Sequence, residues 1–373
     1  MKDLRAAKLA KQVIEYSVSL KPGEKVLIEA WDGSEDFVQE FVKAAYRAGG
    51  YPYVSLQNAQ VNRSFILGAS EASMEAWYEY EAVRMKDMDA YIAIRKQDNI
   101  NEYADVPAEK MALYNKYHGK LHYGHRLPHT KWCVLRYPNP SMAQLSGMST
   151  EAFEDYYFNA NCLDYKKMNE IAEALCRRCS VADQVRITGP GTDLIFSVKG
   201  MKDEKSYCGI FNRPCGEMGT SVVQGTANGK IRYNIPSSFQ GFVFTGVELT
   251  LKDGVVVNAV SNNTELMNRI LDTDEGARRI GEFAIGFNPM ITKPVTDTLF
   301  DEKMAMSLHF TPGNGGDNKS AIHWDLVTSH APELGGGEIW FDGELIRKDG
   351  RFVPEYLQCM NPENLARELL TED

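Results

Sequence analysis

The first half of this chain alternates short apolar segments with helical ones, and this alternation restricts the folds that it can adopt. Strands linked by helices form βαβ crossovers, which give a parallel sheet covered on both faces. The pattern therefore predicts an N-terminal α/β domain. Its predicted strands are residues 25–30, 51–56, 90–94 and 131–138.

The pattern changes after a helical segment at about residues 149–179, because pairs of short apolar segments are now joined by turn residues. The predicted pairs are 184–188 with 194–198, 247–251 with 255–259, and 339–341 with 344–346. Asp-Gly corners in two of these pairs indicate β-hairpins. One helix is predicted among them, at about residues 265–280.

These two halves predict an α/β plus α+β protein. A parallel-sheet α/β domain is expected over residues 1–182, followed by a mixed, mostly antiparallel domain over residues 183–373 that carries the functional site. A chain of 373 residues is also too long for one ordinary hydrophobic core.

Composition and charge exclude several classes of protein. The net charge is −10 without a dense basic run, which disfavours nucleic-acid binding because such binding needs phosphate neutralisation. No apolar run approaches the roughly 20 residues of a membrane-spanning helix, and residues 1–8 lack the apolar core of a signal peptide. Seven cysteines, an odd number in a long chain, argue against a disulfide framework. We therefore expect a cytoplasmic protein with no nucleic-acid or membrane partner.

The sequence His323-Trp324-Asp325, with His309 upstream, is the most informative local motif. In an extended strand, His323 and Asp325 project to the same face while Trp324 points the other way. An imidazole beside a carboxylate, with a second histidine nearby, suits a transition-metal ion. A lone motif of this kind is more often an ordinary strand with two satisfied polar side chains, so its neighbours decide the interpretation.

Two glutamates in unusual surroundings favour the metal interpretation. Glu217 follows a Pro/Gly-rich segment, and Glu282 lies inside a short apolar one. A carboxylate among apolar residues is costly unless it is paired or binds metal. For either glutamate alone, a surface or ion-paired role is the better interpretation, and only the combination with two histidines and an aspartate favours metal.

Five nitrogen and oxygen ligands without a thiolate are too many for one closed tetrahedral zinc site. They suit two divalent ions about 4 Å apart that share a bridging carboxylate. Such a centre polarises a carbonyl, lowers the pKa of a bridging water and anchors a free amine, which are the requirements of an exopeptidase that works from the N-terminus.

The order of motifs along nearly the whole chain resembles the aminopeptidase T, aminopeptidase S and PepS family of dimetal aminopeptidases. The motifs that carry the resemblance are residues 21–28, 131–132, 137–138, 142–149, 189–194, 214–217, 271–278, 281–284, 299–303 and 320–325.

This resemblance implies a set of site residues. The implied metal ligands are Glu217, Glu282, His309, His323 and Asp325. Glu282 is the expected bridge between the ions, and either Glu282 or Glu302 is the expected proton carrier. The resemblance also implies two divalent ions such as zinc or cobalt, peptide substrates, and a homodimer that encloses an internal cavity.

The chain departs from the family pattern at one position. The family often has a tyrosine between the two metal-binding histidines, whereas residues 310–322 contain none. Either another residue replaces this tyrosine or turnover differs, so a catalytically silent relative is an alternative.

Another alternative is a ring-cleaving dioxygenase of the dihydroxypyridine type, which has a similar fold. Its single non-haem iron would be held by His309, His323 and Asp325. A mononuclear iron site does not need Glu217 and Glu282, so the two glutamates favour the peptidase.

Four more histidines, His118, His122, His125 and His129, have the spacing of one helix face. Glycines and a proline among them predict that any such helix is broken, so we interpret these histidines as exposed or packing residues.

Overall fold

The computed structural model describes residues 3–370. Two compact units are present: one runs to Cys162 and includes Gly209–Arg213, and the other comprises Leu163–Cys208 and the chain from Pro214 onward. Each unit therefore consists of two separate segments of the chain. The predicted division, between residues 182 and 183, instead assigned one continuous segment to each domain.

The secondary structure is as follows. The helices are α1 (Leu4–Gln12), α2 (Glu35–Arg47), α3 (Ala59–Gly68), α4 (Glu71–Lys86), α5 (Ala108–Leu121), α6 (Leu127–His129), α7 (Pro140–Leu145), α8 (Thr150–Asn161), α9 (Tyr165–Ser180), α10 (Thr264–Leu271), α11 (Thr298–Asp301) and α12 (Pro362–Leu369). The strands are β1 (Lys25–Trp31), β2 (Tyr51–Gln57), β3 (Ala90–Arg95), β4 (Lys131–Arg136), β5 (Gln184–Gly189), β6 (Thr192–Ser197), β7 (Lys205–Tyr207), β8 (Phe211–Arg213), β9 (Glu217–Thr220), β10 (Asn228–Arg232), β11 (Ser237–Phe239), β12 (Phe242–Phe244), β13 (Glu248–Lys252), β14 (Val255–Val260), β15 (Ile280–Gly286), β16 (Ser307–Gly315), β17 (Asn318–His323), β18 (Val327–Ser329), β19 (Glu338–Phe341), β20 (Glu344–Lys348) and β21 (Arg351–Phe352).

The first unit is built on a parallel sheet in the order β2-β1-β3-β4-β8. The interior strands β1 and β3 are buried along almost their whole length, as continuous apolar strands covered on both faces must be. The edge strand β2 alternates between exposed and half-buried residues. The predicted α/β architecture of this part of the chain is confirmed.

The predicted break of the helix around the four histidines is wrong. Helical backbone continues from α5 through a wider π-helical turn at His122–Arg126 into α6. The π-turn shifts the hydrogen-bond register, because the Leu127 N–H donates to the His122 carbonyl five residues back, and Pro128, which has no N–H, follows directly. His118, His122 and His125 are half-buried and His129 is exposed, so they are packing and surface residues.

The second unit consists mainly of antiparallel sheets, as predicted. One has the order β14-β13-β10-β6-β5-β19-β20-β21, and another has the order β17-β16-β15-β9-β7 with β18 beside β16. The predicted hairpins are present, and both residues of the corners Asp253–Gly254 and Asp342–Gly343 have positive φ. This matches the turn type that Asp-Gly favours.

The helix predicted at residues 265–280 is shorter than expected. α10 ends at Leu271, and Ile280 already begins β15. Backbone pairing of β15 with β9 and β16 outweighs the local helical pattern, because every residue of β15 except Glu282 is buried.

Aromatic packing joins the two large sheets of this unit. The ring of Phe196 on β6 lies 5.1 Å from Phe283 on β15 and 4.9 Å from Phe310 on β16. These contacts bury one face of β15 and β16 and leave their opposite face for polar side chains.

Within residues 3–370, no helix has the length and apolar character that crossing a membrane requires.

Candidate metal centre

Three neighbouring strands bring the acidic and histidine side chains onto one face. His309 on β16 lies opposite Ala284 on β15, and Ala284 in turn lies opposite Gly219 on β9. Residues directly opposite each other in antiparallel strands share a face, as do residues two apart along a strand. Glu282 and Glu217 therefore share the face of His309, and the small residues between them leave room for their carboxylates.

Distances around His309 show how closely the groups converge. Its Nε2 atom lies 3.8 Å from Glu217 Oε2, 3.9 Å from Glu282 Oε1 and 4.0 Å from Asp325 Oδ1. The ligand atoms of Glu282, His309 and Asp325 all lie within 4.8 Å of one another. Atoms that bind one ion at about 2 Å lie roughly 3–4 Å apart, so small shifts of these side chains would accommodate an ion.

His323 lies at the end of β17 and faces the same carboxylates. Its Nε2 atom is 3.1 Å from Asp325 Oδ1 and 3.6 Å from Glu282 Oε2. Its Nδ1 atom lies 2.7 Å from the carbonyl oxygen of Asn314, which can only accept, so Nδ1 carries the proton and Nε2 is directed at the acids.

Trp324 points away from the site, as strand alternation predicts. Its indole is 1% exposed and stacks on Phe239 with ring centroids 4.6 Å apart. The indole N–H donates to the Ser237 hydroxyl. This packing fixes the backbone between His323 and Asp325.

Lys303 is a site residue that the sequence analysis missed. Its side chain is 2% exposed, and its ammonium group pairs with Glu217 Oε1 and, at 2.6 Å, with Glu302 Oε1. Buried lysines are rare unless paired. The sequence offered one indication of this role, which is that Lys303 directly follows the candidate acid Glu302.

The site groups four carboxyl groups with one lysine and two histidines, and they shift one another's pKa values. Burial alone would lower the pKa of His309, but Glu282, Glu217 and Asp325 raise it to about 9. Burial raises the pKa of Glu302 to about 8 despite the opposing effect of Lys303. Burial opposes ionisation of Asp325, yet His323 holds the pKa of Asp325 well below its usual value. Clustered buried carboxylates of this kind are stabilised by a cation.

Two buried polar atoms of the site lack a hydrogen-bond partner in the part of the chain that the structure describes, and the carboxylate oxygen among them favours a bound cation. Glu217 Oε2 and His309 Nδ1 are buried and have no hydrogen-bond partner among residues 3–370. Asp325 Oδ1 accepts a hydrogen bond from the Thr311 hydroxyl at 2.7 Å, which holds that carboxylate in place. A lone pair such as that of Glu217 Oε2, left without a donor, suits a metal ion.

A tyrosine outside the expected segment lies beside the carboxylates. Tyr207 on β7 is the register partner of Glu217 on β9, and a side chain at Gly219 would meet both the Tyr207 ring and Glu282. Burial and the charges of Glu282 and Glu217 raise the pKa of Tyr207, so its phenol stays protonated at neutral pH. The antiparallel pairing of β7 with β9 places it there.

All six candidate residues therefore lie in one cluster: Glu217, Glu282, Glu302, His309, His323 and Asp325. The family model described as thermophilic metalloprotease (M29) matches residues 2–352. The chain belongs to the M29 metalloprotease family.

Relatives of this M29 protein are named aminopeptidases. Aminopeptidase T of Thermus thermophilus is 26% identical over 401 residues, covering 93% of this chain and 96% of that protein. Aminopeptidase 2 of Geobacillus stearothermophilus is 23% identical over 416 residues, with 93% and 95% covered. Aminopeptidase PepS of Streptococcus thermophilus is 23% identical over 402 residues, again with 93% and 95% covered.

Solved structures agree with this assignment. Wild-type AmpT from Thermus thermophilus superposes with a TM-score of 0.78 at 25% identity, covering 94% of this chain and 99% of that one. A 2,5-dihydroxypyridine dioxygenase from Pseudomonas putida KT2440 has a TM-score of 0.58 at 12% identity, covering 94% and 98%. The second likeness shows a common fold alone. The family and its relatives support a metallo-aminopeptidase and not the dioxygenase alternative.

Proposed function

We propose that this M29 protein removes the N-terminal amino acid from peptides at a centre of two divalent metal ions. The observation that carries the proposal is the convergence of five potential ligands on one partly buried, acidic cluster. The proposed ligands are Glu217, Glu282, His309, His323 and Asp325.

The position of Glu282 supports its role as the bridge. Its Oε1 atom lies 3.9 Å from His309 Nε2, and its Oε2 atom lies 3.6 Å from His323 Nε2. One carboxylate thus offers a different oxygen to each histidine. Glu217 would complete the His309 side of the site, and Asp325 lies within reach of both histidines.

Bound ions would supply Lewis-acid polarisation of the peptide carbonyl and a water of lowered pKa. If both oxygens of Glu282 bind metal, Glu302 is the better proton carrier. Glu302 lies beside the proposed ligands, where Lys303 holds it, and is not itself one of them, so its carboxylate would be available to take a proton from the water and deliver it to the leaving amine. Tyr207 is the candidate phenol donor in place of the tyrosine missing from residues 310–322.

Lys303 acts as a positioning residue in this proposal. Its ammonium group holds Glu217 Oε1, which leaves Oε2 of the same carboxylate free for an ion. The same ammonium group fixes Glu302. One buried cation therefore orients both a ligand and the proton carrier.

We further propose zinc or cobalt as the ions, a homodimer as the assembly and the cytoplasm as the location. Nitrogen and oxygen ligands without sulfur suit these metals. The location is supported by the cysteines, all of which are free, as expected in a reducing compartment.

Two assays of the purified protein test the proposal. After chelation and reloading with cobalt or zinc, we expect release of p-nitroaniline from leucyl-p-nitroanilide and a metal content near two ions per chain. In parallel, iron(II)-loaded protein is supplied with 2,5-dihydroxypyridine, and no oxygen uptake is expected. Oxygen uptake without peptidase activity would establish the dioxygenase instead. Two bound ions with no turnover of any peptide would indicate a silent relative.

A further inference from the structure

A cavity of about 400 Å³ lies within the first unit, away from the cluster described above. Trp31, the last residue of β1, and Gln57, the last residue of β2, line it. The neighbours of β1 are β2 on one side and β3 on the other. The chain therefore changes direction across the sheet at β1, and ligands of open α/β sheets bind at the carboxyl ends of strands beside such a point.

Two arginines that line this cavity have unused hydrogen-bond donors. Arg126 is 1% exposed and donates from Nη2 to Glu29 Oε2 at 3.0 Å. Its Nε and Nη1 atoms, and Nε of Arg84, are buried without a partner among residues 3–370. A buried donor that lacks a partner costs free energy, so native proteins supply an acceptor from water or a ligand.

The walls of the cavity include flat aromatic groups. Phe65, Trp77 and Tyr114 line it together with His118. The His118 ring stacks on Trp77 at an interplanar angle of 13° and lies 5.2 Å from the Tyr114 ring. Burial lowers the pKa of His118 to about 4, so this ring is neutral and acts as part of an apolar wall.

Carboxylates line the same cavity beside the guanidinium groups. Glu29 accepts from Arg126 and from the Tyr91 hydroxyl, and Glu81 pairs with Arg84. The cavity thus presents groups of both signs. A multiply charged phosphate would be repelled by these carboxylates, whereas one ligand carboxylate can pair with a guanidinium group and one ligand ammonium with a glutamate.

We propose that this cavity binds a free aromatic amino acid. The ligand carboxylate accepts from the unused N–H groups of Arg84 and Arg126, the ammonium lies toward Glu29 or Glu81, and the side-chain ring packs on the aromatic wall. A volume of about 400 Å³ is within the range of small-molecule sites. Amino acids of this class are also products of an aminopeptidase, but the site does not depend on the metal centre.

Titration calorimetry of the full-length, metal-loaded protein with L-phenylalanine tests the proposal. We expect saturable binding that persists after the metal is removed with EDTA. Phenethylamine, which lacks the carboxylate, should not bind, and 3-phenylpropionate, which lacks the ammonium, should bind more weakly. The EDTA step separates this site from the metal centre, so failure here leaves the peptidase proposal untouched.

Arg84→Gln should weaken phenylalanine binding by about tenfold or more, the usual effect of losing a charge-assisted hydrogen bond. Arg63→Gln is the matched control. Arg63 is also an ion-paired helix arginine, with its side chain 28% exposed against 33% for Arg84, but it does not line the cavity. A bulky replacement at the rim, Val61→Trp, should block the site without touching a charge.

Three results would overturn the proposal. One is the absence of binding by any of the three probes at millimolar concentration, which would mean that water satisfies the guanidinium groups. Another is binding that disappears with EDTA and survives Arg84→Gln, which would assign it to the metal centre. The third is equal loss of binding in Arg84→Gln and Arg63→Gln with both variants folded by circular dichroism.

Discussion

Individual side chains of the candidate metal centre are held by contacts that strand patterns do not reveal. His323 is oriented by a backbone carbonyl, Asp325 by Thr311, and Glu217 by Lys303. Second contacts of this kind orient metal ligands and tune their basicity. The sequence indicated the candidate ligands, but the groups that orient them come from other segments and became apparent only in the fold.

Replacing Glu282 with glutamine is predicted to abolish peptide hydrolysis. An amide cannot bridge two cations as a carboxylate does, so we expect turnover to fall by about 10²-fold or more. The fold should survive because the Glu282 side chain is 23% exposed. Leucyl-p-nitroanilide turnover and a thermal melt measure the two effects. Glu275→Gln, at a side chain 91% exposed, is the control, and near-normal turnover in Glu282→Gln would refute the assigned role.

Lys303→Met is predicted to destabilise the metal-free protein. Loss of the ammonium group leaves Glu217 and Glu302 buried without their cation, which costs about 3–5 kcal/mol in comparable cases. Urea unfolding of metal-free protein measures the loss, and added zinc should restore part of it. Lys319→Met is the control because Lys319 is exposed. Equal stability of Lys303→Met and wild type would contradict the positioning role.

At the scale of elements, the strands β9, β15 and β16 form the site because small residues on one face of their sheet leave space for the acidic side chains. Gly219 and Ala284 lie between the acidic side chains, and a bulge in the pairing of β15 with β16 falls between Ile280 and Glu282. A methyl group at Gly219 would lie 2.7 Å from Glu282 Oε1 and 3.1 Å from the Tyr207 ring. The absence of a side chain there is therefore part of the site.

Gly219→Ala is predicted to impair activity more than stability. The new methyl group displaces the flexible end of Glu282, at a cost of about 1 kcal/mol in unfolding free energy. Metal content by elemental analysis and peptidase turnover should both fall. Gly68→Ala is the matched control, since nothing lies within 4 Å of its added methyl group. Full metal content and turnover in Gly219→Ala would show that the space is not needed.

For the whole molecule, the concentration of acidic groups around two histidines predicts an unusual pH dependence. In the metal-free protein the pKa of His309 is raised to about 9 and that of Glu302 to about 8. A raised folded-state pKa gives stability that is present below the unfolded pKa and lost as pH rises through the folded pKa.

The metal-free protein is therefore predicted to lose stability between about pH 6.5 and pH 9, since both raised pKa values act in the same direction. Bound cations favour the deprotonated forms, so the metal-loaded protein should not show this loss. Thermal melts across this range, with and without EDTA, measure the difference. A metal-free melting temperature that rises toward pH 9 would contradict the prediction.

The sequence by itself determined which part of the chain forms a parallel sheet and which part forms antiparallel sheets. Strands buried on both faces are continuously apolar, whereas strands buried on one face alternate between apolar and polar residues. The sequence also placed His323 and Asp325 on one side of Trp324, since neighbouring residues of an extended chain alternate. It misjudged the C-terminal end of α10 and the helix around the four histidines, where strand pairing and a π-turn override local propensity.

Only the tertiary structure decided which distant groups meet. Lys303 and Tyr207 reach the acidic cluster because their segments pack or pair beside Glu217, and Arg126 meets Glu29 across the first unit. The contacts of Lys303 with Glu217 and of Arg126 with Glu29 join segments far apart in the chain, and no local periodicity records them. The physical reason is that charge compensation depends on distance in space, whereas sequence patterns report only which face a side chain occupies.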